Sequence, residues 1–125
     1  MDVFALGFRV NLISNSREVL RAAEESWGAN RHEFEGKPLN VRVTVTDGGE
    51  KAADPSFHIE RHLLSIVSDR DNYAVADLER LFACCYVTAR TVADRAFFRW
   101  FFLDALILSL LAQKHTVPLC MPMVG

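Results

Sequence analysis

Residues 94–113 make the hardest demand in this sequence. From Asp94 to Gln113 the spacing predicts a helix that is apolar almost all round: Phe97, Phe98, Trp100, Phe101, Phe102, Leu103, Leu106, Ile107, Leu108, Leu110 and Leu111. A helix with no polar side needs cover on every side. Twenty residues at ~1.5 Å each also match the ~30 Å hydrocarbon thickness of a bilayer. The charges decide against a span. The ten Phe, Leu and Ile side chains would gain roughly 3–6 kcal/mol on insertion, whereas Asp104 in mid-helix costs about 2.5–3.5 kcal/mol and Arg99 up to a similar amount. The sum is near zero, so the sequence predicts a buried core helix and no membrane span.

One sheet covers one side of such a helix, so the remaining sides call for another domain or a second copy of the chain. The segment that follows has the same need. Residues 114–125 form an apolar C-terminal arm in which Val117–Val124 is broken by Pro118 and Pro122, the pattern of an edge strand or extended arm. The C-terminal third is therefore expected to be an interface, with Phe98, Trp100, Phe102, Leu106, Leu110 and Val117 as contact residues.

The rest of the chain reads mostly as strands. Phe4, Leu6, Phe8, Val10 and Leu12 alternate with Ala5, Gly7, Arg9 and Asn11, the period of a half-buried strand. Asn15 with Glu18 resembles a capping box. Val19, Leu20, Ala23 and Trp27 then make a helical stripe, and Gly28 is expected to end that helix in the left-handed conformation. Val41, Val43 and Val45 alternate with Arg42, Thr44 and Thr46 in a second strand, followed by an Asp47-Gly48-Gly49 turn. Residues 57–67 read as one bent strand or two. Residues 73–77 and 81–88 are further strands, separated from the preceding one by the polar turn 68–72. The order is β-α-β-β-β-β-α-β. Short turns between the middle strands require antiparallel pairing. The predicted fold class is α+β, a mixed and largely antiparallel sheet of about five to six strands with two helices mainly on one face. Its 125 residues form a single domain, 1–125.

Charge and cysteine content narrow the function. A net charge of −2 with both signs spread along the chain gives no electrostatic basis for binding nucleic acid. Cys84, Cys85 and Cys120 are odd in number and include a vicinal pair, which is no disulfide framework. With no secretory leader at the N-terminus, these cysteines point to a reducing, cytoplasmic compartment.

Candidate chemistry is sparse. His58, Glu60 and His62 share one face of a strand, but on a regular strand the two histidines are about 13 Å apart, too far to share zinc. Adjacent Cys84 and Cys85 point to opposite faces, unlike a redox C-x-x-C pair. Asp69, Asp71 and Asn72 lack the further ligands of a calcium loop and read as an Asx turn. Arg95 and Arg99, four apart and just after Arg90, are a possible anion site, or partners of Asp94, Asp104 and Glu79. There is no G-x-S-x-G elbow and no P-loop: Gly36-Lys37 is followed by Pro38. No metal or cofactor is expected. If the chain holds a small-molecule or catalytic site, its polar groups are His58, Glu60, His62, Asp77 and Arg95.

Three stretches carry a resemblance: Phe4-Ala5-Leu6-Gly7-Phe8 running into Ser14-Asn15-Ser16, Asn72-Tyr73-Ala74-Val75-Ala76-Asp77-Leu78, and Val92-Ala93-Asp94-Arg95-Ala96-Phe97-Phe98-Arg99 with the apolar helix and Lys114-His115-Thr116-Val117-Pro118. In this order they resemble the region that precedes the nucleotide-binding domain in HPr serine kinase-like P-loop proteins of bacteria. None of the three is a catalytic motif, and the chain ends at Gly125 before any glycine-rich loop. The resemblance implies a non-catalytic accessory domain that self-associates, as a dimer, or docks on a P-loop kinase-like domain. Two other readings stand beside it: a small-molecule-binding domain or enzyme with an unrecognised site, and peripheral membrane attachment through the aromatic helix.

Overall fold

The computed structural model describes residues 1–114, so Val117 and most of the expected C-terminal arm lie outside the described residues. The fold is α+β. Seven strands form one mixed sheet: β1 (Asp2–Ala5), β2 (Phe8–Ser14), β3 (Leu39–Thr46), β4 (Ser56–Glu60), β5 (Leu63–Asp69), β6 (Asn72–Asp77) and β7 (Phe82–Thr88). Their spatial order is β1-β2-β3-β7-β6-β5-β4. Helix α1 (Arg17–Trp27) connects β2 to β3, which run parallel, and β3 also lies parallel to β7. The β4–β7 segment is an antiparallel meander.

Two additional turns raise the strand count. The first apolar stretch is not one strand. Leu6 at φ 50° and Gly7 at φ 91° put both central residues in the left-handed region, as a type I′ hairpin turn requires, and the chain folds back into β2. Phe4 therefore faces away from Val10 and Leu12, and Val3 and Ala5 supply the inward positions of β1. A Cβ on Gly7 would sit 2.8 Å from the Phe34 ring, so the turn needs glycine for space as well as for φ. The second turn, Arg61-His62, divides residues 56–69 into β4 and β5.

Two local expectations fail for identifiable reasons. Asn15 caps nothing. Its side chain accepts from Val45 N–H at 2.8 Å and donates to Val45 C=O at 2.9 Å, extending the β2–β3 ladder, and Ser16 takes the N-cap position. Gly28 stays right-handed at φ −63°, its N–H bonded to Glu24 C=O.

After β7 come α2 (Ala89–Ala93), α3 (Arg95–Phe98), a π-helical turn (Arg99–Leu103) and α4 (Asp104–Lys114). Thr88 caps α2 and Asp94 caps α3 through their side-chain oxygens. The long helix is not bare. Phe98, Phe102, Leu103, Leu106, Ile107 and Leu110 are fully buried, forming one core with Val10, Leu12, Val41, Val43, Ile66, Ala74 and Val87 of the sheet and with Val19, Ala22 and Ala23 of α1. The domain covers this helix itself. The expectation that Phe98, Phe102, Leu106 and Leu110 form an external contact is thereby corrected: the sheet on one side and α1 on another consume them.

A polar knot fastens the loop after β3 to this core. Asn72 is fully buried. Its Oδ1 accepts from Thr88 N–H at 2.9 Å and from Thr91 Oγ1 at 2.7 Å, and its Nδ2 donates to Glu50 C=O at 3.2 Å and to Asp69 Oδ1 at 3.1 Å. Ala52 N–H bonds Thr91 Oγ1 at 2.9 Å. Every polar group of the Asn72 side chain is satisfied, as its burial demands.

Candidate interaction surface

All helices pack on one side of the sheet. Among the described residues the opposite side carries no helix, and its residues follow from strand register. One row runs Val67, Tyr73, Tyr86, Thr44; the next runs His58, Ser65, Val75, Cys84, Arg42, Ile13; the third runs Glu60, Leu63, Asp77, Phe82, Asn40, Asn11. Leu63, Val67, Tyr73, Val75, Phe82 and Tyr86 are each 37–45% exposed, far more than large side chains in a covered layer. They adjoin across β5, β6 and β7, with Tyr73 and Tyr86 stacked at 5.3 Å between ring centroids and half-buried Cys84 among them. A contiguous apolar patch of this kind is uncommon on a monomer.

The strand sequences explain the asymmetry. In β3, Leu-Asn-Val-Arg-Val-Thr-Val-Thr alternates strictly, the pattern of a strand with one wet face. In β5, β6 and β7, Leu63-Leu64, Ile66-Val67, Tyr73-Ala74-Val75-Ala76 and Phe82–Val87 are apolar on both faces. Such runs belong to strands covered on both sides. This double-sided pattern is the signal in the sequence for the open face, and it stands beside that of the uniformly apolar helix.

Charges frame the patch. Arg42 lies beyond Cys84 on β3, and Glu60 lies on β4 beyond Leu63. Asp77 closes the lower end and is held by Arg80 at 2.9 Å. The Arg80 backbone N–H, followed by its guanidinium, keeps the Asp77 carboxyl below its usual range. At the far edge of the face, the Arg9 guanidinium sits 5.8 Å from the Phe4 ring, which also stacks on His32.

The polar residues singled out from sequence do not converge. The Arg61-His62 turn takes His62 off the strand face that His58 and Glu60 share. Asp77 lies two strands from Glu60 and is occupied by Arg80. Arg95 is on the helical side, bonded to Glu18 and Glu25 at 2.7 Å each, and Arg99 pairs with Glu25 at 3.5 Å. These two arginines tie the π-helical region to α1; Asp94 pairs with Lys51 and Arg90 with Glu50. Among the described residues, no three His, Cys, Asp or Glu side chains gather as a metal site. A shallow hollow of about 540 Å³ beside the hairpin turn, lined by Leu6, Gly7, Asn30, Arg31, His32 and Glu33, is at the sheet edge opposite β4.

A half-buried carboxylate, Asp104, lies between α4 and α1. Asp104 Oδ2 accepts from Ser26 Oγ at 3.2 Å, and Ser26 Oγ accepts from Arg99 Nε at 2.7 Å. The Trp27 indole N–H faces the same carboxylate without closing a hydrogen bond of standard geometry. Desolvation raises the Asp104 carboxyl above its ordinary range. On β7, burial and then the neighbouring Cys84 push the Cys85 thiol far up, so it is inert, while Cys84 faces the open side.

Compared with protein-family models, curated proteins and solved structures, the chain matches none of them. Among the described residues, no helix is long and apolar enough to cross a membrane.

Proposed function

We propose that this chain is a non-catalytic accessory domain that binds another protein surface through the helix-free face of its sheet. The observation that carries the reading is the patch of Leu63, Val67, Tyr73, Val75, Phe82 and Tyr86, large apolar side chains on strands patterned for cover on both sides. The resemblance to the region preceding the nucleotide-binding domain of HPr serine kinase-like proteins supports an accessory role. Its three stretches fall on the β1–β2 hairpin as far as the N-cap of α1, on β6, and on α2 through α4, with residues 115–118 outside the described residues. All are structural elements. The free thiols of Cys84 and Cys85 support a reducing, cytoplasmic setting.

The long helix has a minor part in this reading, since of its expected contact residues within the described range only Trp100 is exposed, at 73%. The test combines light scattering with the fluorescence of an apolar dye. The wild type is expected to self-associate or to light the dye. Val75→Lys removes that signal, and Trp100→Lys retains it. A wild type that stays monomeric and leaves the dye dark overturns the proposal.

A further inference from the structure

The geometry points to a second copy of this chain as the occupant of the open face, packed sheet on sheet about a two-fold axis parallel to β6. The inference rests on the interaction reading above and adds the partner and its register.

Three features of the face are self-complementary about β6. First, the apolar patch is centred there: β6 carries Tyr73 and Val75, with β7 and β5 on either side. Rotation about β6 lays each β7 over the partner's β5. Phe82 then meets Leu63, and Tyr86 meets Val67, since each pair shares a register row. Val75 meets its own copy at the axis. A two-fold along β7, the middle strand, would instead set Tyr73 and Val75 against Thr44 and Arg42, burying a cation under an apolar pair.

Second, the flanking charges are opposite. The same rotation carries β3 over the partner's β4. Arg42 lands opposite His58, one register step from Glu60, within reach of its carboxylate. Asp77 approaches its own copy at the end of the axis, and each is already neutralised by Arg80. Third, the size fits. Five strands about 4.8 Å apart, each five to eight residues long at ~3.3 Å, give a flat footprint of roughly 500 Å². Its corrugated accessible area approaches the ~800 Å² that a standard interface buries per partner. Facing sheets pack about 10 Å apart and within ~30° of alignment, which the two-fold accommodates.

The experiment measures dimer affinity by sedimentation equilibrium on the whole chain, with thermal melts to confirm folding. Arg42→Glu and Glu60→Arg are each expected to weaken the dimer about tenfold, and the double variant to restore it to within about threefold of wild type. Val75→Cys, with Cys84→Ser and Cys120→Ser, is expected to cross-link to covalent dimer with a short bis-maleimide. Recovery in the double variant together with the Val75→Cys cross-link supports the two-fold along β6. A dimer lost in Val75→Lys but neither rescued by the double charge swap nor cross-linked at position 75 overturns this register and leaves the interaction reading intact. A wild type that binds dye at the face but stays monomeric at every concentration overturns the second copy as occupant. A dimer indifferent to Val75→Lys overturns both.

Discussion

The two faces of this sheet are built from the same strands and have opposite fates. On one, Val10, Leu12, Val41, Val43, Ile66, Ala74 and Val87 disappear beneath α1 and the C-terminal helices. On the other, six large apolar side chains stay in contact with water. The covered face shows what the domain needs in order to fold. The open face leaves apolar area in water, where it contributes nothing to folding and is available to association.

The sharpest way to break the comparison is to empty one large side chain on each face. Phe102→Ala, in the helical layer over the covered face, is expected to cost about 3–5 kcal/mol, since a fully buried ring leaves a cavity. Phe82→Ala, with its ring 44% exposed, is expected to cost about 1 kcal/mol in the monomer. Urea denaturation of both variants below any association threshold decides the point. Equal losses would mean that the open face is part of the folding core.

Next in size is the polar knot that closes the covered side. Asn72→Ala is expected to lose about 2–3 kcal/mol, because Thr88 N–H and Glu50 C=O lose their Asn72 partner in the interior. Asn72→Asp should lose as much, because a carboxylate cannot donate to Glu50 C=O and would be buried with its charge. Val75→Lys serves as the counterpart on the open face. It is expected to change monomer stability by less than about 0.5 kcal/mol, since the lysine reaches solvent.

The smallest effect concerns Asp104. Its folded-state carboxyl is raised above the value it has in the unfolded chain, so the fold holds this proton more tightly. Protonation at this site therefore favours folding, and its ionisation opposes folding as pH rises through the raised value. Asp104→Asn is expected to raise Tm at neutral pH, with a gain that fades as the pH falls below about 4, where the wild-type carboxyl is protonated in both states. A carboxyl titration followed by NMR would show the raised value directly. A midpoint at or below that of an exposed aspartate would remove the effect.

Much of the architecture was legible in the sequence because it depends on local periodicity. Alternation marked β3, short apolar runs bounded by polar turns marked β6 and β7, helical spacing marked α1 and the C-terminal helix, and Asp104 with Arg99 argued against a membrane span. The Leu6-Gly7 turn escaped because alternation runs through it unbroken: Phe4, Leu6 and Phe8 keep the period while the chain reverses. Asn15 has two roles open to it in the sequence, because its capping geometry and its ladder geometry use the same side-chain atoms, and only the position of Val45 chooses between them.

The enclosure of the long helix is illegible in the sequence for a related reason. Hydropathy told from the sequence that this domain has more apolar side chains than one sheet face and two helices can hide. That excess is a property of composition and pattern, and it was visible in residues 94–111 and in residues 63–87 alike. Which of the two would be enclosed depended on strand order. The sequence β1-β2-β3-β7-β6-β5-β4 makes one broad sheet, and α1 and the C-terminal helices share a single side of it. Strand order is a choice among long-range pairings that no local pattern encodes, so only the tertiary structure could assign the helix to the core and the second face of β5, β6 and β7 to the surface.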